Sequence, residues 1–67
     1  MKFVKISCEN YINKNLVKAV TIEHDSFENY YIAHFWMKDG GYFDSKKFNQ
    51  KDELVNFVDD KLAINND

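Results

Sequence analysis

Sixty-seven residues, 45% of them hydrophobic and 30% charged, with a formal net charge of −2, describe one small globular domain and exclude a second. The slight acidity speaks against a chain built to bind phosphate backbones, and no segment approaches the roughly 18–20 apolar residues that span a bilayer. A domain of this size buries only about 60% of its unfolded surface. Its core supplies only about 3–5 kcal/mol net, and a disulfide, a metal or a second chain often reinforces it.

Cys8 is the single cysteine, so an internal disulfide is excluded and a reducing, cytoplasmic setting is expected, with a covalent dimer through Cys8 as a minor option. Near the N-terminus Lys2 and Lys5 alternate with Phe3, Val4 and Ile6, a strand pattern without the apolar run of a signal peptide. All nine basic residues are lysines, and proline is absent. Without a guanidinium fork, bidentate recognition of phosphate or guanine is largely unavailable. The bias toward Lys and Asn points to an AT-rich genome, such as that of a low-GC bacterium or one of its phages.

In chain order, residues 2–8 alternate and are expected to form a first strand. The polar connection "ENYINKN" follows, with room for a short extended piece at Tyr11 and Ile12. A second strand is expected over residues 16–25 and a third over 30–37. The third, "YYIAHFWM", is apolar on both sides, because Tyr30, Ile32, His34 and Trp36 alternate with Tyr31, Ala33, Phe35 and Met37.

After it, Asp39-Gly40 reads as a two-residue type I′ hairpin loop that pairs Met37 with Tyr42 and Trp36 with Phe43 and opens a fourth strand over 41–46. From Asn49 the period changes. Asn49 is expected to cap a helix with Asp52 returning a bond, and Leu54, Phe57, Val58 and Leu62 form its apolar stripe as far as Ala63. The predicted fold is α+β: a four-stranded antiparallel meander with one C-terminal helix packed on one face. The domain spans residues 1–64, and 65–67 form a frayed tail.

One helix covers one sheet face. If Ser26 to Asn29 form a four-residue loop, Asp25 pairs with Tyr30, Ile22 with Ala33 and Val20 with Phe35. That parity puts Val20, Ile22, Ala33, Phe35, Met37 and Tyr42 in the core. On the other face it puts Ala19, Thr21, Glu23, Tyr30, Ile32, His34, Trp36 and Phe43. Tyr30, Ile32, His34, Trp36 and Phe43 are the candidate partner-binding residues, because contiguous exposed apolar patches mark interaction sites. The competing reading is that Tyr11 and Phe27 fold over this patch and finish a second small core.

The chemistry of catalysis is sparse. Cys8, His24 and His34 match no zinc spacing, no metal or cofactor is expected, and His24 and His34 fall on opposite faces. Cys8 has no base in its sequence context, and the adjacent acids Asp52-Glu53 and Asp59-Asp60 read as a solvated helix face. "DGG" is accounted for by the hairpin. No catalytic residue is therefore assigned, and the chain is not read as an enzyme. Aromatic side chains on an open sheet could stack bases, with Lys46 and Lys47 nearby, so a single-stranded nucleic-acid binder is the alternative. The primary expectation is a non-enzymatic protein-binding module. It would act as a homodimer, or as an inhibitor or adaptor docking on a larger protein, for instance a phage or mobile-element accessory protein acting on a host nuclease.

Overall fold

In a computed structural model that describes residues 3–63, the chain forms two antiparallel sheets and one C-terminal helix. Strands β1 (Phe3–Lys5) and β2 (Tyr11–Asn13) make a hairpin of their own, and a short 3₁₀ turn at Lys14–Leu16 leads out of it. Strands β3 (Val17–Asp25), β4 (Tyr30–Met37) and β5 (Tyr42–Asp44) form the second sheet, with β4 in the centre. Helix α1 covers Lys51–Lys61. The expected tail at 65–67 and the Lys2 start of the first strand lie outside the described residues.

The α+β class and the antiparallel pairing hold, but the single four-stranded meander does not. The chain turns back after β1, with the Ile6 N–H donating to the Asn10 carbonyl at 3.0 Å, and Val4 pairs with Ile12. A short loop of polar turn formers makes this nearby pairing cheap in loop entropy. The hairpin then docks on the core rather than extending the main sheet, and a main-chain bond from Lys46 N–H to the Ile6 carbonyl at 2.9 Å fastens it there.

Between β3 and β4 the pairing is as the loop length implied: Asp25 opposite Tyr30, Ile22 opposite Ala33, Val20 opposite Phe35. The Asp25 carboxylate accepts from the N–H groups of Phe27 and Glu28 at 2.9 and 3.0 Å, which closes the loop. Asn29 completes it with φ of 57°, a conformation that Asn tolerates better than most side chains. A bulge between Val17 and Ala19 breaks the regular pairing at the other end of β3.

The β4–β5 hairpin departs from expectation by one residue. Trp36 faces Tyr42 and Phe35 faces Phe43, because the loop is longer than two residues. Gly40 N–H donates to the Met37 carbonyl and Met37 N–H donates to the Gly41 carbonyl, both at 3.1 Å, enclosing residues 38–40. Gly40 and Gly41 take the positive φ values, 102° and 75°, and Asp39 is spared the one that a type I′ turn would demand of it. A one-residue shift exchanges faces along the whole strand. Tyr42, expected in the core, is thus 50% exposed on the opposite face.

The core lies on one side of β4. Ala33, Phe35 and Met37 are buried with Leu54 of α1 and with Ile6 and Ile12 of the hairpin, while Val17, Val20, Phe48, Phe57, Val58 and Leu62 pack at its margin. Ile22 was also expected there but is 39% exposed, since it stands on the outer strand beyond that cover. The helix stripe is as expected; its cap is not. Asn49 lies next to Phe48, which is still held to Tyr31 by two main-chain bonds, so the helix starts one residue later at Gln50 with no side-chain cap.

Ser45 completes the ladder beside β5. Its N–H donates to the Ala33 carbonyl at 2.8 Å, and its hydroxyl accepts from Ala33 N–H at 2.9 Å in a buried position. Replacing it with alanine strands that N–H away from water, a loss of about 1–3 kcal/mol. Ser45→Ala is therefore expected to lower the urea-unfolding free energy by that amount with an unchanged slope, and an unaltered midpoint would refute this role for the hydroxyl.

Candidate partner-binding face

The core packing of both the hairpin and the helix is on one side, and the other face of β3–β4–β5 is left without a covering element apart from the hairpin's loop beside Ile32. Tyr30, Ile32, His34 and Trp36 alternate along β4 on that face, each half-buried by its neighbours on the strands. Tyr42 joins them from β5, with its ring 4.7 Å from that of Trp36 and 5.1 Å, edge-on, from that of His34. Phe43, expected in this group, is instead in register with Phe35 on the other side and is 44% exposed there. Tyr11 and Phe27, the residues that could have closed a second core, are 63% and 94% exposed and close nothing.

The face is held in place by cross-strand polar bonds. Trp36 donates its Nε1–H to the Thr21 hydroxyl of β3 at 2.8 Å, which orients the indole along the sheet. His34 reaches both neighbouring strands: Nε2 lies 2.7 Å from Glu23 Oε1 on β3, and Nδ1 lies 2.5 Å from Asp44 Oδ1 on β5. A neutral imidazole has one N–H and would turn a lone pair toward the second carboxylate, whereas the imidazolium satisfies both. The Glu23 hydrogen bond, with Asp44 assisting, accordingly raises the His34 pKa above its ordinary value, and partial burial offsets only part of that rise.

Tyr30 closes one end of the face. The Lys47 ammonium sits 4.5 Å above its ring, and desolvation followed by the neighbouring Asp25 charge raises the phenol's pKa. Near Ile32, the loop bearing Cys8 and the Ser45 to Lys47 segment line a shallow groove, and Cys8 is exposed there. His24 lies across from Tyr31 and stacks on it at 4.3 Å, on the side opposite His34. Among the described residues no group of three or more His, Cys, Asp or Glu side chains is placed to hold a metal ion.

Tyr30, Ile32, His34 and Trp36 are thus brought together as the alternation of β4 implied. Tyr42 and Asp44 were missed, and the pair of glycines after Asp39 was the signal that could have found them, since it permits a longer loop and the other register. Searches among protein families, curated proteins and solved structures match nothing to this chain.

The clamp has a pH signature. Because the folded pKa of His34 is raised, its contribution to stability is complete below the unfolded value of about 6.5 and is lost as pH climbs through the folded value. An NMR titration of the His34 ring is expected to show a midpoint above that of a histidine in a short peptide, and Glu23→Gln should bring it down. A wild-type midpoint at or below the peptide value would show that the two carboxylates do not clamp the ring.

Proposed function

We propose that this chain is a small non-enzymatic protein-binding module that docks a larger protein on the open face of β3–β4–β5. The observation that carries this reading is the Trp36–Tyr42 ring pair, 4.7 Å apart on the face opposite the core and fixed through Thr21 and the His34 clamp. Rigid aromatic anchors of this kind contribute most of the energy at protein interfaces, since little side-chain entropy is lost when they are covered. Glu23 and Asp44 flank the rings, so the matching surface is an apolar patch rimmed by lysine or arginine. Two copies stacked through this face would bring their own acidic rims together, which favours a foreign partner. An inhibitor or adaptor seated on a basic protein, such as a host nuclease met by a phage or mobile-element product, has this chemistry.

The runner-up is single-stranded nucleic acid, favoured by Lys47 over the Tyr30 ring. The carboxylates of Glu23 and Asp44 beside the stacking rings count against it, as they repel phosphate.

Trp36→Ala separates these readings. Its binding to a protein retained by the immobilised wild type is expected to weaken by at least about 2 kcal/mol, roughly 30-fold, at a temperature where the variant remains folded. A variant that melts lower yet retains the same partner equally well would make Trp36 a packing residue and end the proposal. Quenching of tryptophan fluorescence by an oligonucleotide at low salt, abolished by salt, would move the face to the second reading.

A further inference from the structure

We infer that the free edge of β3 is a self-pairing seam, along which two copies of the chain join antiparallel about a two-fold axis at Thr21 to make one continuous six-stranded sheet. The inference stands on the backbone of β3 and is independent of what occupies the aromatic face.

β3 ends the sheet order β3-β4-β5, and no strand among the described residues pairs with its outer side. Which of its main-chain groups are free follows from β4. Tyr31 exchanges both of its bonds with Phe48, the Ala33 carbonyl accepts from Ser45, and the Met37 N–H donates to Gly41, so these alternate residues of β4 face away from β3. The residues between them, Tyr30, Ile32, His34 and Trp36, face β3, where they lie opposite Asp25, Glu23, Thr21 and Ala19. Alternation then turns the N–H and C=O of Val20, Ile22 and His24 outward from the sheet.

Natural sheets protect such edges by keeping them short or by placing proline, lysine or a bulge along them. The β5 edge follows that rule. It is three residues long, and the chain just after it is tied to Ile6. β3 is nine residues long with no proline, and its one bulge and its only lysine, Lys18, lie at the same end. The stretch from Ala19 to Ile22 is left without any of these devices.

The side chains say what fits. Lys18 stands at one end of the strand, Glu23 and Asp25 at the other, and Ala19, Val20 and Ile22 between them. Antiparallel pairing of two copies sets the basic end against the acidic end, whereas parallel pairing sets like on like. A two-fold axis at Thr21 also keeps the faces in step. It puts Val20 opposite Ile22 of the second copy, both on the core side, where the outward main-chain groups of the two can exchange their bonds, and it gives half-exposed Ile22 an apolar neighbour. Across the joined sheet the two β4 strands lie three strand spacings apart, about 14 Å, so both Trp36–Tyr42 patches sit on the same side.

The test is the solution mass by light scattering on an eluting peak over a range of concentrations. Wild type is expected at twice the 8.0 kDa chain mass, and Ile22→Pro, which removes an N–H that bonds nothing within its own sheet, at the single mass with its circular dichroism retained. Trp36→Ala should remain a dimer. A wild type that is monomeric at every concentration overturns the seam, as does a dimer that Trp36→Ala dissolves and Ile22→Pro leaves intact. Should Ile22→Pro fail to fold, Thr21→Cys in a Cys8→Ser background decides the matter. Opposed across the axis, the introduced thiols should cross-link under mild oxidation far faster than those of Phe27→Cys in the same background, and equal rates refute the seam.

Discussion

Everything in this domain depends on β4 being paired on both edges while only one of its faces is sealed. Its eight residues are largely apolar in both alternating sets, yet the described residues offer one helix and one small separate hairpin with which to cover them. Both go to the same side, where Ala33, Phe35 and Met37 meet Leu54, Ile6 and Ile12. Concentrating the cover makes one fully dry core from a chain too short for two, and burial returns most when the apolar groups share a single water-free interior. The uncovered set is the consequence.

That uncovered face is stiff rather than loose. Trp36 is tied to β3, and His34 is tied to β3 and β5 together, so the polar bonds that crosslink the strands also orient the rings. A patch held in this way loses little freedom when something binds it, which is what distinguishes a docking surface from apolar residues stranded by poor packing. Its electrostatics come from the same residues. The imidazolium between two carboxylates both crosslinks the strands and offsets part of the carboxylates' negative charge, so protonation of one ring links the sheet's cohesion to its surface charge.

The free edge and the open face have a common origin in where the hairpin of β1 and β2 docks. The hairpin of β1 and β2 could have been a fourth and fifth strand of the main sheet, covering the edge of β3; docked on the core instead, it supplies Ile6 and Ile12 to the interior and leaves that edge bare. Apolar volume in the core was favoured over strand pairing at the periphery. For a domain with so small an interior, that exchange is reasonable, because each buried aliphatic side chain contributes about 1.5–3 kcal/mol.

What the sequence by itself determined was whatever depends on near neighbours. The alternation of "YYIAHFWM", the four-residue loop closed by Asp25 and Asn29, the β3–β4 register and the stripe of Leu54, Phe57, Val58 and Leu62 are all local patterns with one good solution. From these, four of the five candidate face residues were legible. Tertiary structure decided the rest. Asp39-Gly40-Gly41 admits a two-residue turn and a longer loop, and the longer loop that the structure takes moved Tyr42 onto the face and Phe43 off it. Asn49 is as good a cap as any by local rules, but the bridge between Tyr31 and Phe48 delays the helix past it. Whether residues 3–13 extend a sheet or cover a core is likewise a comparison between distant surfaces, because the free energy that settles it resides in contacts with Ala33, Phe35 and Leu54 that no local pattern contains.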